Sequence, residues 1–225
     1  MTIELRNLTK QFRFGQQTKH VARNVTMTLP AGGSIGVLGR NGAGKSTLLS
    51  MVSGRSSPDS GDIVIHGSVS WPVGFSGSFH PLLSGSQNVR FLARVYGVDT
   101  GEMEYYVRHF AELGSHYYQP VRTYSSGMRS RLAFGCSMAI KFDWYLVDEV
   151  TSVGDAAFKE KSEAVFRDRM RSSSALYVSH AVGSLRRVCD AAIVLEDGYF
   201  TYYDDVREGI AAHQENLNST AGEDE

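Results

Sequence analysis

Apolar and polar side chains alternate over residues 3–8 and again over 24–29, a period of two that predicts half-buried antiparallel strands. Residues 34–38 form a short apolar run that ends in a glycine-rich turn, and the spacing from Lys45 to about Gly54 predicts a helix. In Pro58-Asp59-Ser60-Gly61, proline fixes φ and glycine supplies a positive φ, which predicts a turn. Residues 63–65 and 68–71 read as two more short strands. From Val73 the texture changes: 74–86 is loop-like, helical patterns follow at about 87–97 and 102–113, and after a loop to Ser126 another helix spans about 127–140. Apolar runs return at 144–147, 175–178 and 191–195, separated by helical patterns near 157–171 and 181–188. Strands alternating with helices predict a mainly parallel sheet covered by helices, an α/β fold with a mostly helical insertion. Tyr199, Tyr202 and Tyr203 fall in a late strand, and the polar, acidic tail from Asn216 to Glu225 is expected to fray.

Composition narrows the partners. The 225 residues are 42% hydrophobic and 21% charged, a globular balance, and the net charge of −1 offers no basic excess to attract nucleic acid. Two cysteines, Cys136 and Cys189, are too few for a disulfide scaffold, so reduced thiols in the cytoplasm are expected. The start, Met1-Thr2-Ile3-Glu4-Leu5-Arg6, lacks the basic and apolar regions of a signal peptide. Residues 63–89 contain no Asp, Glu, Lys or Arg but are rich in Gly and Ser and carry Pro72 and Pro81, so no membrane-spanning helix is predicted there. A membrane role would come through a partner.

The strongest chemical signal is Gly39-Arg40-Asn41-Gly42-Ala43-Gly44-Lys45-Ser46, which fits the phosphate-binding pattern G-x-x-x-x-G-K-[ST] between an apolar strand and a helix. Glycines let the backbone curl so that successive N–H groups point at phosphate oxygens, and the helix adds its positive N-terminal end. Lys45 can reach the β- and γ-phosphates, and the Ser46 hydroxyl can bind Mg²⁺. A second signal is Trp144-Tyr145-Leu146-Val147-Asp148-Glu149, an apolar strand ending in two acids where an open α/β sheet binds its ligands. Asp148 would hold Mg²⁺ directly or through water, and Glu149 could act as base toward an attacking water. Such a strand end is by itself as consistent with a chain running into solvent; the upstream phosphate loop shifts the balance.

Tyr124-Ser125-Ser126-Gly127-Met128-Arg129, just before a helix, resembles the signature of ABC-type ATPases, usually Leu-Ser-Gly-Gly-Gln. Ser125 and Gly127 match, and Tyr124, Ser126 and Met128 depart; a plain helix N-cap would give the same pattern. Order and spacing decide. Ser152-Val153-Gly154-Asp155 stands where this superfamily places its D-loop, and Tyr177-Val178-Ser179-His180 where its switch histidine sits. The resemblance implies a RecA-like P-loop ATPase core over 1–73 and 139–225, with a small antiparallel β-subdomain, and an inserted helical signature subdomain over 74–138. It implies ATP and Mg²⁺ as ligands. The nucleotide would be bound by the stretch from Gly39, Arg40, Asn41, Gly42, Ala43 and Gly44 through Lys45, Ser46 and Thr47, and by Ser125, Ser126 and Gly127 of a second copy in a head-to-tail dimer. Metal would sit on Ser46 and Asp148, and Glu149, His180 and Lys45 would be catalytic. Phe12 fits the aromatic that stacks on adenine, with Phe14 as the alternative. One departure concerns the glutamine that normally opens the loop after the second strand block: near Gly74 to Ser76 no glutamine occurs, and Phe75 takes its place.

Three stretches resemble the ATP-binding subunits of capsular polysaccharide exporters: Ser70-Trp71-Pro72-Val73-Gly74-Phe75-Ser76-Gly77-Ser78-Phe79, Thr123-Tyr124-Ser125-Ser126-Gly127-Met128-Arg129-Ser130-Arg131-Leu132, and Val147-Asp148-Glu149-Val150-Thr151-Ser152-Val153-Gly154-Asp155 with Phe158-Lys159-Glu160-Lys161. The resemblance implies integral membrane permease subunits as partners, a peripheral place on the cytoplasmic face of the inner membrane, and powered export of lipid-linked polysaccharide. Related O-antigen subunits often carry an extra carbohydrate-binding domain, for which a chain ending at Glu225 has no room. Direct polysaccharide binding is therefore not expected. The alternatives are an exporter subunit for O-antigen, teichoic acid or another lipid-linked cargo, a soluble ABC ATPase acting on DNA or ribosomes, and a non-catalytic ATP binder.

Overall fold

The computed structural model describes residues 1–77, 79–148, 156–179 and 181–221. In chain order its elements are β1 (Ile3–Phe14), β2 (Gln17–Leu29), β3 (Ser34–Gly39), α1 (Lys45–Val52), β4 (Ser60–Ile65), β5 (Val69–Pro72), α2 (Gly85–Tyr96), α3 (Thr100–Ala111), α4 (Ser126–Ala139), β6 (Trp144–Asp148), α5 (Ala156–Arg169), β7 (Ser174–Val178), α6 (Val182–Val188), β8 (Ala191–Glu196), β9 (Tyr199–Tyr203) and α7 (Val206–Ala221). They divide into two compact units: the described residues within 1–70, 143–149 and 170–225, and those within 71–142 and 150–169.

The first unit holds the smaller sheet and nearly all of the larger one. The smaller is antiparallel in the order β2-β1-β4, and the larger has the order β5-β6-β7-β3-β8-β9. Strands β6, β7, β3 and β8 are parallel, and β9 closes the edge antiparallel to β8. Apolar runs rather than alternation mark β3, β7 and β8 because these strands are buried on both faces. Ile3, Leu5 and Leu8 of the small sheet, Leu48, Leu49 and Val52 of α1, and Ile35, Val37, Trp144, Leu176 and Ile193 of the large sheet belong to one buried cluster. Each such side chain contributes about 1.5–3 kcal/mol by leaving water.

The β1–β2 ribbon is longer than the alternation suggests, running from Ile3 to Leu29 around a turn at Gly15. Asp59 fastens it: its carboxylate accepts from Lys10 Nζ at 2.9 Å and from the Gln11 N–H at 2.7 Å, which holds that carboxyl below its ordinary pKa. The expected turn at 58–61 ends inside β4, with Gly61 at φ +80° where the β1–β4 register shifts. The tail also departs from expectation. Residues 206–221 form α7, seated through buried Val206 and Ile210 and through Gly209, whose missing Cβ would fall 2.5 Å from that of Ala192.

The second unit is helical. Ser84 and Gln87 form a reciprocal capping box at the start of α2. Buried Asn88 donates to the carbonyls of His80, Leu83 and Ser84 and accepts from the His80 N–H, so one amide organises the turn ahead of α2. Asp99 caps α3 and Ser125 caps α4. Phe110 stacks on Phe134 at 5.6 Å and meets Phe158 edge-on at 5.2 Å, which draws α5 into this unit.

A Cβ on Gly61 would lie 2.3 Å from the Asn7 carbonyl oxygen and 2.4 Å from that of Arg6, at a positive φ. Gly61→Ala is expected to destabilise the protein by about 2 kcal/mol or more, measured by urea unfolding; a change below about 0.5 kcal/mol would show that the small sheet yields at this bulge.

Candidate functional site

The loop from Gly39 to Ser46 leaves the C-terminal end of β3, the central strand of the parallel set, and enters α1. Its path depends on three residues with positive φ: Gly39 at 151°, Gly42 at 79° and Gly44, the N-cap of α1, at 106°. Crowding excludes side chains at the same places. A Cβ on Gly44 would stand 2.2 Å from Val21 Cγ1, and one on Gly39 would stand 2.7 Å from the Leu195 carbonyl oxygen. The backbone is thus pressed against β2 on one side and β8 on the other.

Lys45, the first residue of α1, is only 7% exposed, and its Nζ donates to the carbonyl oxygens of Gly39 at 2.7 Å and Arg40 at 2.9 Å. An ammonium so far from water needs anionic or strongly polar company, and here the loop wraps around it. Ser46 Oγ lies 3.4 Å from Asp148 Oδ1 at the end of β6, so two oxygens suited to a hard cation meet beside the loop. Magnesium is held by one or two protein oxygens together with substrate phosphates, and this pair fits that need. The sequence predicts these partners 102 residues apart, and the sheet order brings them together.

Arg40 turns away from the loop. Its Nη2 donates to the Asn216 carbonyl at 2.7 Å, and the Asn216 side-chain amide bonds Glu196. Asn216 is therefore a fixed part of α7 and not a frayed end. Nearby, burial, with help from Lys45 and Arg40 and against Glu196, holds His213 below its ordinary pKa and neutral near pH 7. Sequence reasoning missed this brace, because Glu196, Asn216 and His213 share no motif with the loop.

Phe12 is 39% exposed and Phe14 64%, and their rings lie 6.5 Å apart on the β1–β2 ribbon. Both are surface aromatics rather than core. Thr47 lies in the first turn of α1. Glu149 and His180 lie outside the described residues, as does the stretch Ser152-Val153-Gly154-Asp155.

In the second unit, Ser125 Oγ accepts from the Met128 N–H at 3.2 Å, and Ser126 and Gly127 open α4. Tyr124 is buried, its hydroxyl donating to the His116 carbonyl at 2.7 Å and filling space that a side chain at Gly85 would occupy. Arg129 donates to the Tyr124 carbonyl at 2.6 Å, and the Arg131 guanidinium lies 4.5 Å from the Phe158 ring centre. Phe75, where a glutamine is usual, is 38% exposed and has no side-chain oxygen to offer a metal.

The sequence profile of the family described as ABC transporter matches residues 22–152. The chain belongs to that family. Among its ABC relatives, the polysialic acid transport ATP-binding protein KpsT of Escherichia coli is 49% identical over 211 residues, covering 92% of this chain and 94% of that one. The capsule polysaccharide export ATP-binding protein CtrD of Neisseria meningitidis serogroup B is 40% identical over 204 residues, covering 91% of this chain and 94% of that one. The ABC fold recurs in a solved dimer of the cassette MJ0796 in a post-hydrolysis state bound to ADP and Pi. That structure aligns with a TM-score of 0.75 at 20% identity over 91% of this chain and 98% of that one.

Lys45→Ala is expected to weaken nucleotide binding about 10- to 100-fold or more, since it removes charge-assisted bonds to phosphate. Titration calorimetry with ATP measures it; unchanged affinity would detach the loop from phosphate binding.

Proposed function

We propose that this chain is the ATP-hydrolysing subunit of an exporter that moves capsular, lipid-linked polysaccharide across the cytoplasmic membrane. The observation that carries the reading is the cradle in which Lys45 is buried and Ser46 faces Asp148, in a chain similar over nearly its whole length to ATP-binding proteins of polysialic acid and capsule transport. The adenine would stack on Phe12, the loop from Gly39 to Thr47 would surround the phosphates, and Mg²⁺ would rest on Ser46 and Asp148. When bound, the metal neutralises charge on the β- and γ-phosphates. Glu149 takes a proton from water as its oxygen attacks the γ-phosphorus, and His180 holds the γ-phosphate. The bond from that phosphorus to the bridging oxygen breaks, and ADP leaves with those electrons.

One chain carries one phosphate loop and one signature, so two copies complete each other head to tail, with Ser125, Ser126 and Gly127 of one facing the nucleotide of its partner. The N-terminal turn of α4 suits that task, because its N–H groups and the Ser125 hydroxyl can meet phosphate oxygens. Among the described residues no helix is long and apolar enough to cross a membrane. Contact with the bilayer would run through permease subunits, as for an exporter's ATP-binding subunit, with this chain peripheral on the cytoplasmic face. In the helical unit, Leu82 is 62% exposed, Phe91 57% and Val95 58%, the last two one helical turn apart on α2. We assign this apolar face to a cytoplasmic loop of the permease, with the loop of residues 74–83 moving beside it. The bound Asn88 turn then transmits the push into α2.

Two experiments test the reading. Glu149→Gln should slow ATP hydrolysis about 10²- to 10⁴-fold while sparing ATP binding, and cells carrying it should hold polymer inside and lose surface capsule. Normal capsule together with slowed hydrolysis would mean that the cargo is different. Phe91→Glu combined with Val95→Glu should leave ATP hydrolysis by the purified chain within about twofold, as surface changes usually do, yet abolish surface capsule. Full export by that variant would remove α2 from the permease contact.

A further inference from the structure

The register of the β1–β2 ribbon pairs Phe12 with Lys19, Arg13 with Thr18 and Phe14 with Gln17. Directly opposed residues point to the same face of a sheet, and so do residues two apart along a strand. Phe12, Phe14, Gln17 and Lys19 therefore share one face. Lys19 leaves that face toward the phosphate loop: its Nζ lies 2.7 Å from the position a Cβ on Gly42 would take. Among the described residues Lys19 makes no ion pair within the chain, whereas Lys10, also on this ribbon, is fastened to Asp59 at 2.9 Å. Lys19 borders a cleft of about 630 Å³, also lined by Phe14, Arg40 and Gly42, a size within the range of small-ligand sites. Two buried nitrogens without hydrogen-bond partners, His20 Nδ1 and Arg40 Nε, belong to residues lining the same cleft. Of the acids at its edge, Glu196 is already bonded to Asn216.

We infer that Lys19 is a nucleotide-binding residue, a second cation on the phosphate chain that acts from the β2 side while Lys45 acts from inside the loop. The inference rests on the reading that Phe12 and the phosphate loop hold ATP. A nucleotide whose base lies on the aromatic face of the ribbon and whose phosphates lie on the N–H groups from Gly42 onward runs past Lys19. Gly42 keeps the place open, since any side chain there would displace the ammonium. Standing beside Gly42, Lys19 faces the part of the chain that ATP and ADP share, so it strengthens ground-state binding of both rather than the transfer step.

The test is titration of MgADP into the full chain and three variants: Lys19→Gln, Lys19→Arg and Arg13→Gln. Arg13 is an exposed neighbour on the opposite face of β1 and controls for a lost surface charge. Lys19→Gln is expected to weaken MgADP binding about 3- to 30-fold, Lys19→Arg to stay near the parent chain, and Arg13→Gln to have no effect. In steady-state hydrolysis Lys19→Gln should raise KM for ATP by a similar factor and leave kcat within about twofold. Unfolding midpoints of all variants should match, because these side chains are exposed. Equal MgADP affinity for the parent and Lys19→Gln would overturn the assignment while leaving the phosphate loop in place, as would an equal loss in Arg13→Gln. No MgADP binding by the parent chain would overturn the nucleotide reading itself, and this assignment with it.

Discussion

The loop that follows β3 wraps its own backbone around a buried ammonium, and much else in the first unit exists to make that possible. A lysine charge at 7% exposure is costly unless polar groups surround it, and the carbonyls of Gly39 and Arg40 are among those that do. To bring them there the chain must turn through three positive-φ positions within six residues, and it must do so in contact with Val21 on one side and the Leu195 carbonyl on the other. Glycine is therefore required twice over, by dihedral angle and by lack of room. The same glycines leave the backbone of the loop without side chains, which suits it to the close approach of a phosphate.

Packed neighbours hold that loop in place. Strand β3 is flanked by β7 and β8, and the buried cluster beneath it joins both sheets, so the start of the loop is fixed by packing on both sides. Its second residue is fixed differently, by a guanidinium that reaches a helix carbonyl 176 residues later in the chain. Helix α7 is thereby tied to the phosphate loop through Arg40 and Asn216 and to the end of β8 through Glu196. Its neutral His213 adds no third positive charge beside Lys45 and Arg40. In the small antiparallel sheet Asp59 pins the ribbon that carries Phe12, the residue proposed to stack on adenine.

What could be read in the sequence follows from burial. Strands β3, β6, β7 and β8 are buried on both faces, so their apolar runs identify them, and the loop pattern and its following helix are legible because phosphate chemistry restricts the residue types. The outer half of the β1–β2 ribbon was not legible. Residues 11–20 are solvated on both faces apart from partial cover at Gln11 and His20, so Arg13, Gln17 and Thr18 show no period even though they pair in strict register. Helix α7 was missed for a related reason. Few of its side chains are buried, Val206 and Ile210 among them, and its attachment to the loop is through Asn216, a polar residue that reads as tail. Asn88 and Arg40 gave no signal either, since a lone buried amide and a variable loop position acquire meaning only when their partners are seen.

The tyrosine that stands in place of the usual signature leucine has a packing reason. Tyr124 in place of leucine buries a ring and spends its hydroxyl on the His116 carbonyl, so the exchange is a packing solution inside the helical unit. Arg129 spends its guanidinium on the Tyr124 carbonyl, which steadies the residue just before the cap. Neither interaction touches what Ser125 offers. A hydroxyl has two lone pairs and one O–H, and the Met128 N–H uses a single lone pair. The cap therefore fixes the oxygen while its proton remains able to turn toward an anion, and the first-turn N–H groups of α4 are oriented by the same bond. The capping arrangement is thus compatible with the phosphate contact proposed for Ser125, whereas an aspartate at this position would cap the helix and repel an anion.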